Sequence, residues 1–153
     1  MTRRVRLAHS VVVAASAQEC FDALVDWPAQ GRWMMLTAVT ADGPAAGPGG
    51  RLTAVTGWGR VALVDTMEIT GWDRPRRVEV LHTGRVVRGP GAMEVLPLPD
   101  GRTRVVWSED LELPLGAVGW AGFAVMRPLV ALGVTRSLAR FAALVASGQI
   151  GSG

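Results

Sequence analysis

Between Arg51 and Leu113 the chain alternates polar and apolar residues by twos, and turn chemistry cuts the alternation at short intervals. The alternating segments run Arg51 to Thr56, Ala62 to Thr70, Arg77 to Thr83, Arg85 to Leu96 and Thr103 to Leu113, with "GWGR", "GWDRP" and "PLPDGR" among the breaks. Strands joined this tightly pair antiparallel with their neighbours, because a parallel crossover needs about a dozen residues or more. A "GPG" at Gly89 to Gly91 marks an irregularity inside the Arg85 to Leu96 segment.

An earlier strand, Arg4 to Val13, places Val5, Leu7, His9, Val11 and Val13 on one face. "SAQE", Ser16 to Glu19, has the form of a capping box and opens a helix from Ala17 to about Val25 that buries Cys20, Phe21 and Leu24. Pro28 ends that helix, and "AQGRWMM" forms a short second helix or turn. "ADGPAAGPGG" is a loop; without a Lys-Ser/Thr ending or a following helix it does not cradle phosphate. The tail, Ala117 to Ala146, has helical spacing, kinked or broken at Pro128. The expected fold is α+β, one domain over 1–147 with a flexible tail at 148–153. Its antiparallel sheet is curved and wraps around the long C-terminal helix, with two short helices after the first strand.

Composition narrows what such a fold can do. The hydrophobic fraction is 49% and the mean hydropathy +0.27, so a space between sheet and helix would be lined by bulky apolar side chains. All 16 basic residues are Arg, and there is no Lys, Tyr or Asn, which excludes a Schiff-base lysine and a tyrosine acid. The net charge is only +3 and the arginines are spread over ends and turns, so no nucleic-acid partner is expected. One cysteine and two histidines exclude an intrachain disulfide and argue against a His/Cys metal site; no metal and no cofactor are expected. Cys20 reads as a packed, inert thiol. The broken apolar run at the start is no signal peptide, and the uncharged stretch between Glu112 and Arg127 is too short for an integral membrane segment. A cytoplasmic protein is expected, monomer or homodimer.

Several phrases resemble bacterial members of the SRPBCC superfamily, the START / birch-pollen-allergen-like group of polyketide cyclases and lipid-transport proteins. "VVVAASAQECFDALVDWPAQGRWM" is similar to that family's first strand, capped helix and Trp-containing second helix. "VDTMEITGWDRPRRVEVLHTG" resembles its central hairpin, and "TRVVWSEDLELPLG" its last strand before the closing helix. The resemblance covers nearly the whole chain and implies a helix-grip fold. Because the superfamily includes carriers, cyclases, dehydratases and receptors, it does not choose among them.

Polar residues on apolar faces supply the candidate chemistry. Asp65 shares a face with Leu63 and Met67, His82 with Val78 and Val80, and Glu109 with Val105, Trp107 and Leu111. Facing a cavity, Asp65, Glu109 and His82 could serve as acid and base, since burial raises carboxyl pKa values. The alternatives are a strand-end Glu109 reaching solvent, a His82 hydrogen-bonded in the core or at a hairpin mouth, and an Asp65 that accepts from a backbone amide or an arginine. Arg127 is placed to neutralise one of the acids. Trp33, Met35, Trp107, Phe123 and Met126 join Leu63 and Met67 as expected ligand contacts, with Trp58, Trp120 and Met93 in the same soft lining. The expected function is to bind or carry a hydrophobic small molecule such as a lipid, isoprenoid quinone or polyketide. The alternative is a cyclase or dehydratase using the cavity carboxylates.

Overall fold

A computed structural model describes residues 3–152. Seven strands form one antiparallel sheet: β1 Arg3–Val13, β2 Thr37–Asp42, β3 Arg51–Trp58, β4 Val61–Asp73, β5 Arg77–Thr83, β6 Arg88–Pro97 and β7 Thr103–Leu113. Their order is β1-β7-β6-β5-β4-β3-β2, so β2 to β7 form a meander and β1 closes beside β7. Helix α1, Ala17–Val25, and a 3-10 helix, Trp27–Arg32, follow β1, and helix α2, Gly116–Ala146, ends the fold. This is the helix-grip arrangement.

The capping box is present. The Glu19 amide donates to the Ser16 hydroxyl oxygen at 3.3 Å, and the Ser16 amide donates to the Glu19 carboxylate at 2.8 Å. The helix so started buries Cys20, Phe21, Ala23 and Leu24. Burial pushes the Cys20 thiol up to about 11, so it is protonated and inert at neutral pH.

Four expectations are corrected. The sequence pattern assigns no strand to Thr37–Asp42, yet β2 pairs along its whole length with β3. The break expected at Pro128 is absent, since helix α2 runs continuously through it; Ala124, whose carbonyl loses its helical donor to the proline, is on the exposed side. The expected tail at 148–153 is packed over its described part: Ile150 is buried, and Arg32 donates to the Gln149 carbonyl at 2.7 Å. Trp58 and Trp120, expected in an interior lining, are exposed.

The interior is divided lengthwise. At one end Phe21 meets Trp72 edge-on and Trp33 meets Phe141, with ring centroids 5.4 and 5.0 Å apart. Only the last turns of α2 enter this dense core, through Ser137, Leu138, Phe141 and Val145. By length and apolarity α2 could cross a membrane, but here its C-terminal half is the core helix of the domain. At the other end the first half of α2 stands away from the sheet, and the space between them is a cavity.

Candidate functional site

The cavity has a volume of about 640 Å³, within the range of ~300–1,000 Å³ common for small-molecule pockets. The sheet contributes inward residues of β3 to β7, including Leu63, Met67, Met93 and Trp107; α2 contributes Phe123, Met126, Val130 and Val134. Period-two alternation explains the strand side and period-3.6 spacing the helix side.

Asp65, His82 and Glu109 all line this cavity, on β4, β5 and β7. The His82 Nδ1 lies 2.8 Å from Asp65 Oδ2, a hydrogen bond that fixes the imidazole against a carboxylate. The other ring nitrogen, Nε2, lies 3.7 Å from Glu109 Oε1, beyond hydrogen-bonding distance. The Trp107 indole donates to the same Glu109 oxygen at 3.0 Å. His82 Nε2 and Asp65 Oδ1 are buried with no partner among the described residues. Buried orphans of this kind are costly, and an ordered water, an ion or a catalytic role is their ordinary explanation.

Gly91 brings the pair together. It sits on β6, between β5 and β7, opposite Glu109. A Cβ at Gly91 would meet His82 Nε2 at 3.2 Å and the Glu109 Cγ at 3.6 Å. The absent side chain is what lets residues two strands apart approach one another. In the sequence the "GPG" here reads only as an irregularity; the usable signal is its inward parity with Met93 and Val95.

The other expected site residues divide. Met35, Leu63, Met67, Trp107, Phe123 and Met126 line the cavity. Trp33 does not: it is 1% exposed and belongs to the dense core against Phe141. Arg127 is exposed, lies one position off the cavity-facing stripe of α2, and makes no ion pair among the described residues. The counter-charge expected from Arg127 is therefore absent, and the acids meet His82 and Trp107 instead. Among the described residues no group of His, Cys, Asp and Glu has the makings of a metal site.

Electrostatics follow from burial and pairing. Burial raises the Glu109 carboxyl, opposed by the His82 charge and the Trp107 hydrogen bond. For His82, burial lowers the imidazole, but the Asp65 hydrogen bond and the Glu109 and Asp65 charges outweigh it, so the net direction is upward. The His82 contribution to stability is complete below its unfolded value of about 6.5 and is lost as pH rises through the raised folded value. Glu109 acts with the same sign: its burial costs nothing below the unfolded value near 4.5 and destabilises as pH rises toward its raised folded value. The His82 imidazole, followed by NMR through a pH series, should therefore titrate above about 6.5, and urea stability should fall through that same window. An imidazole titrating lower would mean that burial wins over the carboxylates.

A curved antiparallel sheet closed over a C-terminal helix around an apolar cavity defines a helix-grip protein. The chain belongs to the polyketide cyclase / dehydrase and lipid transport family, whose model matches residues 4–146. Among solved structures it is similar to the Zhui aromatase/cyclase from Streptomyces sp. R1128, at 18% identity and a TM-score of 0.75 over 94% of each chain. It is also similar to the protein TTHA0849 from Thermus thermophilus, at 17% identity and a TM-score of 0.77 over 94% of this chain and 99% of that one. A point mutant of Thalictrum flavum norcoclaurine synthase, in complex with a transition state analogue, matches at 16% identity and a TM-score of 0.68, covering 97% and 98%. At these identities the likeness is one of fold. No curated protein matches the sequence.

Proposed function

We propose that the cavity holds a hydrophobic small molecule and that Asp65, His82 and Glu109 perform acid–base chemistry on its polar end, of the kind a cyclase or dehydratase carries out. The observation behind this reading is the buried, unpartnered Nε2 of His82, with Asp65 held on the other ring nitrogen. An Asp65 that accepts from Nδ1–H leaves the lone pair on Nε2, the state of a general base.

The chemistry balances on a β-hydroxy ketone. Nε2 takes the proton from the carbon beside the carbonyl, and Asp65 stabilises the imidazolium that results. The protonated form of Glu109, which burial favours, gives its proton to the departing hydroxyl. Water leaves as the carbon–carbon double bond forms. The released water relays the imidazolium's proton to Glu109, whose Oε1 lies 3.7 Å from Nε2, and the site is reset.

A second reading, a carrier that binds without transforming, is favoured by the apolar rim of the cavity, where Met35, Val86, Leu115 and Met126 are exposed. One experiment separates the two. Native mass spectrometry with 1-acetonaphthone reports binding, and deuterium uptake by its methyl group in D2O reports enolisation. Saturable uptake faster than in buffer supports the enzyme. Binding with no acceleration leaves the carrier, and failure of this ketone and of a lipid and quinone panel to bind overturns both.

A further inference from the structure

The end of the molecule at which the cavity opens is apolar, basic and nearly free of acids. The turns β3–β4 and β5–β6 and the junction β7–α2 all fall at that end, because the registers Trp58↔Val61, Thr83↔Arg88 and Arg3↔Leu113 close there. β4 pairs with β5 only from Met67 onward and β3 with β2 only up to Thr56, so the tip of the β3–β4 hairpin, Trp58 to Val61, projects past both neighbouring strands. Its tip carries Trp58 at 85% and Val61 at 82% exposure. Across the cavity mouth the first half of α2 presents Val118, Val125 and Leu129, all exposed.

Unpaired charge on this end is mostly positive. Of the 13 acidic residues none lies in 52–64, in 83–93 or anywhere after Glu112. The acids that do occur at this end are accounted for: Asp65 and Glu109 are inside the cavity, Glu112 pairs with Arg4, and Asp110 shares the opposite face of β7 from Glu109. Arg60 at the hairpin tip, Arg85 and Arg88 beside Val86, and Arg127 on α2 are exposed and make no ion pair among the described residues. Arg3 lies over the Trp120 ring at 5.3 Å.

We propose that this end docks onto an anionic lipid surface, with the β3–β4 hairpin tip and the first half of α2 seated among the headgroups and the cavity mouth opening between them. Trp and apolar side chains partition into the interfacial region while arginines reach anionic headgroups from beside them. A second copy of the chain fits less well, because a symmetric contact would set unpaired arginines against one another with no acids to match. A ligand of low water solubility would then enter from the bilayer without crossing water. The docking stands on the surface alone and does not depend on any chemistry at His82.

Flotation of the full chain with vesicles of phosphatidylcholine containing about 30% phosphatidylglycerol, against pure phosphatidylcholine, tests this. The protein should float with the anionic vesicles and only weakly with the neutral ones. Trp58→Ser with Val61→Ser should lower partitioning by about tenfold or more. Arg60→Gln with Arg85→Gln should lower it by about fivefold per arginine, with the loss confined to anionic vesicles. These positions are exposed, and unchanged melting of each variant verifies that the fold is intact. Protein that floats with neither vesicle overturns the proposal, as does equal floating of wild type and variants. A dimer in sedimentation that Trp58→Ser with Val61→Ser turns into monomer, without vesicle binding, also overturns it and assigns the face to a second copy. Binding of 1-acetonaphthone without vesicles reads the cavity separately, so loss of docking and loss of the cavity reading are distinguishable.

Discussion

His82→Gln should leave 1-acetonaphthone bound while its deuterium uptake slows by about 10²–10⁴-fold, the range by which a positioned general base accelerates proton transfer. Glutamine keeps most of the imidazole's bulk in a position only 6% exposed, so the pocket survives and only the base is lost. Asp65→Asn should cost about 10²-fold or more. The amide oxygen can still accept from Nδ1–H, but it has no charge to stabilise the imidazolium. A structural role alone would not predict what accompanies the loss: the alkaline-going limb of the rate, set by the raised His82, should move to lower pH in Asp65→Asn. Glu109→Gln should behave differently again. Exchange beside the carbonyl should largely persist, whereas loss of water from a β-hydroxy ketone should fail for want of the acid. If all variants exchange deuterium like wild type, the site orients a ligand and does not transform it.

The candidate chemistry is legible in part because alternation is a local property. Asp65 beside Leu63 and Met67, and Glu109 beside Trp107 and Leu111, are assigned a face by parity alone, and the structure places those faces on the cavity. Their mutual geometry is not local. It depends on register across β4, β5, β6 and β7, and on a bulge between Ile69 and Gly71 that re-phases β4 against β5. Nothing in a single strand announces that Gly91 will lie between His82 and Glu109. Arg127 fails for a related reason: it is adjacent to the stripe running through Phe123, Met126 and Val130, and helical spacing does not resolve one position at a stripe's edge. β2 escapes notice because "TAVTAD" is short and runs into a Gly- and Pro-rich loop, and its partner β3 supplies the pairing that its own sequence does not advertise. Trp58 and Trp120 are misplaced by the premise that large aromatic residues go inside. They sit on an apolar exterior, which is the observation behind the docking surface.

Gly91→Val should fold normally and still lose about 10²-fold of the exchange rate, the penalty that a displacement of about 1 Å at a reacting group can impose. The backbone there is not in the left-handed region that demands glycine, and a β-branched residue suits a strand. The difficulty is in front of the strand. A Cβ would already press on His82 Nε2 at 3.2 Å and on the Val80 Cγ2 at 3.4 Å, and two further methyls would occupy the space into which Nε2 and Glu109 now face. The imidazole and the carboxyl would be driven apart, and with the Glu109 charge further away the His82 titration should fall toward its ordinary range. Gly91→Ala, with one methyl at the limit of tolerated contact, should lie between wild type and valine in both rate and titration. A valine variant with the wild-type rate and titration would show that the approach of His82 to Glu109 has no part in proton transfer. The His82–Asp65 pair would then have to supply both the acid and the base.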